Sequence, residues 1–273
     1  MGVITLSREL GSRGDKIAEL LAEKLSYRFV NKAEIERVLR EDGVPESSIE
    51  KFDEKNPGFW HRFSRDRDRY LHLLSYTVTR FAHEGNCVIL GRGSQVLLSH
   101  LPSVLNLRIT APFEARVENV VQEYGYTRHE AEHLVHHSDR ERAGFHRFFF
   151  NENWLDSELY DVILSTEFLN EEAAVDLVSH ALAALQRPEY VQETEEKLAN
   201  LFLEMLVITQ IIYIDGLPVQ NLTVTAENGA VHLRGMVSAE EDVAIVEQSA
   251  RKVDGVRSVS SAVYYVPPNS SIR

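Results

Sequence analysis

The opening stretch ITLSRELGSRGDKIAELLAEKL, residues 4–25, narrows the folds open to this chain more than any other segment. Residues 3–6 are apolar or β-branched, as in a strand buried on both faces of a parallel sheet. Gly11 and Gly14 bracket a tight loop, and Ile17, Leu20, Leu21 and Leu25 then fall at helical spacing. Strand, glycine loop and helix N-terminus together make a cradle for phosphate. Backbone N–H groups converge there, the helix dipole adds positive potential, and glycine allows close approach. The same two glycines also suit a plain turn, so the loop alone leaves both readings open. It is not a Walker A sequence, because Asp15 and then Lys16 follow Gly14 where that pattern needs lysine directly.

A chain of 273 residues, 44% apolar and 26% charged, has room for one large domain or two ordinary ones. Its formal net charge of −13 argues against a general nucleic-acid binder. An anionic ligand would have to be held by local arginines rather than by the overall field. No basic segment followed by a long apolar run opens the chain, and no stretch reads as long enough to span a membrane, so the expected location is the cytoplasm. The single cysteine, Cys87, lies inside the apolar run CVIL and reads as a buried strand residue.

Strand-like and helical runs alternate along the first two thirds. Strands are expected at 27–30, 87–90, 104–109 and 160–164, with helices at 32–40, 60–83 and 171–185. Ser47 and Glu50 have capping-box spacing for a short helix that Pro57 and Gly58 would end. Pro112 suits the first turn of a helix, and Thr127 with Glu130 opens another that should run to about Ala143. Five strands alternating with helices imply an α/β fold of three layers around a five-stranded parallel sheet.

The start resembles that of the cytidylate kinase-like family, a branch of the P-loop nucleoside monophosphate kinases. Ser7, Arg8, Gly11, Ser12 and Gly14 match its opening motif, whereas Arg13 stands where the family usually has glycine and Asp15 where it has arginine. The likeness continues in order through Gly91-Arg92-Gly93, through Ala111 to Arg116 (APFEAR), through Asp139 to Ala143 (DRERA), and through Trp154, Asp156, Tyr160 and Asp161. The resemblance implies a kinase-like P-loop domain over residues 1–187 that uses ATP and Mg²⁺. It implies that Arg8, Gly11, Ser12, Arg13, Gly14, Asp15 and Lys16 hold the donor phosphates. Arg92 and Gly93 would bind the acceptor, a small-molecule nucleotide such as CMP, and Arg140 and Arg142, with Arg147 nearby, would serve a closing lid. Such chemistry needs alignment and positive charge far more than covalent help. The alternative is a kinase relic that binds a nucleotide or nothing and acts through protein contacts; the altered loop favours it, whereas Arg92, Arg140 and Arg142 favour the kinase.

His129-Glu130-Ala131-Glu132-His133 formally fits H-E-x-x-H, but a zinc hydrolase also needs a third ligand in a defined place. The stretch coincides with the pre-lid helix of the family, so no metal residue is assigned. The sequon at Asn221 has no secretory context.

The pattern changes at Gln186-Arg187-Pro188. Beyond it a helical stretch gives way to alternating runs around Asn228-Gly229, the strongest short hairpin signal. A helix that Ser238 would cap and a final strand at 259–266 complete an αββαβ order. Val224, Gly229, Val231, Leu233, Gly235 and Val237, with VDGVRSV at 253–259, resemble a BON domain spanning residues 193–267. The resemblance implies an α+β interaction module without catalysis. Residues 190–273 carry 6 Lys and Arg against 11 Asp and Glu, which disfavours an anionic membrane and points to self-association or a protein partner.

Overall fold

The computed structural model describes residues 2–41 and 64–267, so the expected helix at Ser47 and its breakers Pro57 and Gly58 lie outside the described residues. The chain forms two compact units that divide between Thr194 and Glu195.

The first unit has a five-stranded sheet in the order β2-β3-β1-β4-β5. Its strands are β1 (Val3–Arg8), β2 (Arg28–Val30), β3 (Cys87–Leu90), β4 (Val104–Thr110) and β5 (Val162–Ser165). Every neighbouring pair is parallel, and β1 lies at the centre with Val3 opposite both Cys87 and Val104. Between the strands run helices α1 (Gly14–Leu25), α2 (Lys32–Glu41), α3 (Ser64–Glu84), the short α4 (Ser94–Leu97), α5 (Phe113–Tyr124), α6 (Arg128–Phe150) and α7 (Glu171–Leu185).

The two faces of this sheet differ in chemistry, and the difference places the site. Ile4 and Leu6 of β1 and Leu105, Leu107 and Ile109 of β4 pack with Ile17 and Leu21 of α1 and Val178 of α7. Because side chains alternate along a strand, Thr5, Ser7, Asn106 and Arg108 point the other way. There they form polar pairs: Thr5 Oγ1 donates to Asn106 Oδ1 at 2.8 Å, and Trp154 Nε1 donates to Ser7 Oγ at 2.8 Å. All four are buried, so these bonds replace the water they lost.

Helix α6 runs to Phe150, seven residues beyond the expected end at Ala143. The sequence offers no glycine or proline to stop it after Gly144, and it ends where Asn151 takes a left-handed conformation, φ 56°. Its start is as expected: Thr127 and Glu130 close a reciprocal capping box. Pro112 is the residue before α5 rather than inside its first turn. Cys87 is buried in β3, and burial pushes its thiol up to about 12, so it is an inert strand residue.

Helix α8 (Pro188–Ile208) begins on the first unit, where Thr194 Oγ1 accepts a hydrogen bond from Ser103 N at 3.0 Å. It continues through a π-helical turn, Thr209–Ile214. The run 188–214 is long and apolar enough to cross a membrane by length and composition, contrary to the expectation that no stretch is. Leu203, Val207 and Ile211 of this run are buried in the core of the second unit, against Leu233 and Val246. That unit also has β6 (Gln220–Glu227), β7 (Ala230–Val237), α9 (Glu241–Arg251) and β8 (Ser258–Tyr265), in the sheet order β6-β7-β8. The β6–β7 pairing is antiparallel and the β7–β8 pairing parallel. Asn228 and Gly229 both have positive φ, 49° and 84°, as a two-residue hairpin turn requires. Ser238 does not cap α9, which starts later behind Glu240 without a side-chain cap.

Candidate functional site

The loop between β1 and α1 is fixed chiefly through its carbonyls and close packing. Gly11 has φ 78°, and a Cβ there would stand 2.4 Å from the Arg116 carbonyl oxygen. A Cβ on Gly14 would stand 2.4 Å from Arg8 Cβ, so both positions demand glycine for space. Arg13 precedes α1 in a left-handed conformation, φ 61°. Asn119 Nδ2 donates to Gly11 O at 2.8 Å and Thr166 Oγ1 to Ser12 O at 2.9 Å. The Ser12 hydroxyl is turned inward and donates to Glu9 O at 2.7 Å. The helix ladder begins with Ile17 N to Arg13 O at 3.0 Å, which leaves the amides of Gly14, Asp15 and Lys16 as first-turn donors. That is the backbone arrangement an anion uses at a helix start.

Glu9, to which no sequence motif points, anchors the loop. One carboxylate oxygen accepts from Arg108 Nη2 at 3.0 Å; the other stands 3.4 Å from Arg116 Nε and accepts from Ala111 N at 3.3 Å. Arg116 forks onto Asp139 of α6, with both bonds at 3.0 Å. Arg108 lies 4.3 Å from the Trp154 ring and donates to the Trp154 carbonyl. Loop, β4, α5 and α6 are thus joined through two arginines that are buried. An arginine inside a mostly apolar, buried strand, VLNLRIT, is the signal that a buried carboxylate must answer it.

Two clefts flank this loop, and Asp15 belongs to both. The first, of about 470 Å³, brings together Arg8, Arg92 and Arg142 with Phe29, Asn31, Glu36 and Glu141. The second, of about 510 Å³, is lined by Gly11, Arg13 and Lys16 with Asn119, Tyr124 and Glu171. Three of the arginines singled out from sequence therefore meet in one place although they are far apart in the chain. Arg140 and Arg147 are exposed on α6 and line neither cleft.

Arg92 is held with effort. Gly91, Arg92 and Gly93 all have positive φ, at 73°, 60° and 67°. For a residue with a side chain this costs about 1–2 kcal/mol, the kind of strain that gathers at functional positions. The Arg92 side chain is only 5% exposed; Nη2 lies 3.9 Å from Glu36 Oε1 and Nη1 donates to Tyr70 Oη at 3.3 Å. Gly93 has no room for a side chain, because a Cβ would stand 2.2 Å from the Phe150 ring.

The HEAEH stretch lies on α6. His129 and His133 meet edge to face with centroids 4.5 Å apart, and His136 stacks on Phe113 at 4.5 Å. Among the described residues no three His, Cys, Asp or Glu side chains converge as metal ligands. Elemental analysis after mild chelation should find no stoichiometric zinc, and His133→Ala should leave zinc content unchanged. One tightly held zinc per chain that is lost in this variant would reinstate the hydrolase reading.

Residues 3–167 match the sequence profile of the cytidylate kinase-like family, and residues 203–267 match that of the BON domain. A cytidylate kinase of Methanosarcina barkeri is 24% identical over 189 residues, which are 68% of this chain and 99% of that protein. One from Ignicoccus hospitalis is 27% identical over 186 residues, 67% of this chain and 99% of its own. Among solved structures, an uncharacterized protein from Eubacterium ventriosum shares the fold with a TM-score of 0.53 at 19% identity, covering 67% of this chain and 99% of that one.

Proposed function

Because the chain belongs to the cytidylate kinase-like family and carries a BON domain at its C-terminal end, we propose that it transfers the γ-phosphoryl group of ATP to a small phosphorylated acceptor. A nucleoside monophosphate of the CMP type is the first candidate. The observation that carries this reading is the pair of clefts meeting at one glycine loop. In-line transfer needs donor and acceptor on opposite sides of a single phosphate site.

In this reading the first-turn amides of α1, with Arg13 and Lys16 beside them, hold the donor. Arg92 clamps the acceptor phosphate, and Arg8 and Arg142 face the oxygens between the two, where negative charge builds up. The γ-phosphorus bond to the bridging oxygen breaks as one forms to an acceptor oxygen, and ADP leaves. A phosphate acceptor is already deprotonated, so no general base is required. Among the described residues no three His, Cys, Asp or Glu side chains cluster as ligands, and magnesium needs only one or two carboxylates beside phosphate and water. Magnesium would therefore be carried chiefly by the phosphates of the nucleotide. Arg140 and Arg147 serve the lid only if α6 turns on closure.

The two proposed domains are 1–187 and 193–267, and the BON domain would dock a protein partner or a second copy. A second reading, a kinase-like fold retained for nucleotide sensing, is favoured by one observation: Asp15 occupies the place of the Walker lysine. ADP release measured with ATP, Mg²⁺ and each nucleoside monophosphate decides between them. Turnover with one monophosphate well above that in water supports the transferase. Absence of turnover with retained ATP binding supports the sensor.

A further inference from the structure

The cations of the phosphate loop are answered by carboxylates of the protein itself. Arg8 Nη2 lies 3.0 Å from Asp15 Oδ1, Arg13 Nη1 lies 3.5 Å from Glu171, and Lys16 Nζ lies 3.6 Å from Glu19. The first pair combines three features, of which it shares with the Arg13–Glu171 pair only the carboxylate's place in a helix first turn. It is forked, with Arg8 Nε also 3.3 Å from Asp15 Oδ1 and 3.4 Å from Oδ2. Its carboxylate lies in the first turn of α1, where the helix dipole favours an anion. And Asp15 borders both clefts, at the position that follows the second loop glycine.

We infer that Asp15 is an internal competitor of phosphate: it holds Arg8 as a phosphate oxygen would, and a nucleotide gains the Arg8 contact only by taking it from Asp15. The inference rests on the donor site proposed above and concerns its regulation. The side chains suit the exchange. The Arg8 side chain is 15% exposed and is fixed at the end of the central strand, whereas that of Asp15 is 60% exposed and can swing into water. An ion pair with one partner this exposed is weak enough to be exchanged by a multiply charged ligand. The displaced carboxylate still stands beside the incoming phosphates, so it opposes a bare polyphosphate more than one whose charge a divalent cation has partly neutralised. The loop thereby discriminates against free anions, phosphate included, in favour of the cation-complexed nucleotide.

Calorimetric titration of ATP into the full chain tests this, in EDTA and again in Mg²⁺. The proteins are the parent, Asp15→Asn, Arg8→Ala and the double variant, each checked for an unchanged melting transition. Asp15→Asn should tighten ATP about tenfold in EDTA and by a smaller factor in Mg²⁺. Most of the gain should be lost when Arg8 is also alanine, because Arg8 is what the aspartate withholds; the remainder is the repulsion of the carboxylate itself. If the parent binds and Asp15→Asn binds equally or more weakly, the inference is overturned while the donor site stands; weakening confined to Mg²⁺ would make Asp15 a cation ligand instead. An undiminished gain in the double variant would reduce Asp15 to general repulsion and overturn the competition. No ATP binding by any of the four at millimolar concentration removes the donor site, and the inference with it.

Discussion

Glu9→Ala should cost roughly 2–4 kcal/mol of folding stability, the largest effect expected from any single change in the loop. The Glu9 side chain is 14% exposed, and its carboxylate faces the guanidinium groups of two arginines whose side chains are 5% and 8% exposed. Removing it leaves both cations desolvated without their shared anion, a far greater penalty than the loss of an ordinary surface pair. The full range for breaking a buried pair is about 3–5 kcal/mol, and two features pull the expectation below its top. Arg116 keeps its fork to Asp139, and Arg108 keeps the Trp154 carbonyl and ring. Urea unfolding of the parent, Glu9→Ala, Asp139→Ala and the double variant separates these contributions. The double variant should lose more than the sum of the singles, since only then is Arg116 without any carboxylate. A loss under 1 kcal/mol for Glu9→Ala would mean that water reaches the two arginines and that the loop is anchored by its glycines and carbonyl bonds instead.

How far the sequence carries depends on whether an interaction is local or is made across the sheet. The strand–loop–helix start was legible because its signals are local: an apolar run, two glycines and a helical stripe at Ile17 and Leu21. The capping box at Thr127 and the hairpin at Asn228-Gly229 were legible for the same reason. The end of α6 was not, because the stop is a left-handed Asn151 rather than a glycine or proline. The four strands around β1 were recognised as elements, but their two faces were not told apart. In a parallel strand read as one apolar run over residues 3–6, Thr5 looks like a tolerated polar residue and Ser7 lies past the end. Only the register that sets β1 beside β4 shows that Thr5 meets Asn106 and that Arg108 reaches Glu9. The same holds for the site. Arg92 is legible only through the resemblance of Gly91-Arg92-Gly93 to the family motif, and the choice between Arg140 and Arg142 depends on which side of α6 faces the cleft, which a helix of mixed charge does not announce. Glycine positions were legible as glycines but not in their reasons: Gly14 is needed because Arg8 lies against it, a contact between β1 and α1 that spacing does not reveal.

Arg92 gives the largest expected effect on binding, and its strained backbone makes the test clean. Arg92→Ala and Arg92→Lys both keep a side chain at φ 60°, so they carry a similar conformational cost and differ from the parent chiefly in the head group. Two parallel charge-assisted bonds from a guanidinium to a phosphate contribute about 3–4 kcal/mol between them. Alanine should therefore weaken the acceptor nucleotide roughly a hundredfold or more. Lysine keeps the charge without the fork and should recover only part of this, on the order of tenfold. ATP affinity should be unchanged in both variants, because Arg92 lines the cleft with Phe29 and Asn31 and not the one with Gly11 and Arg13. Calorimetry with the monophosphate that supports ADP release, and separately with ATP, reads the two sites independently. If Arg92→Ala weakens ATP and leaves the monophosphate unaffected, donor and acceptor have been assigned to the wrong clefts. If neither ligand responds while the melting temperature falls, Arg92 serves Tyr70 and Glu36 in holding α2 and α3 against β3, and the acceptor phosphate is gripped elsewhere.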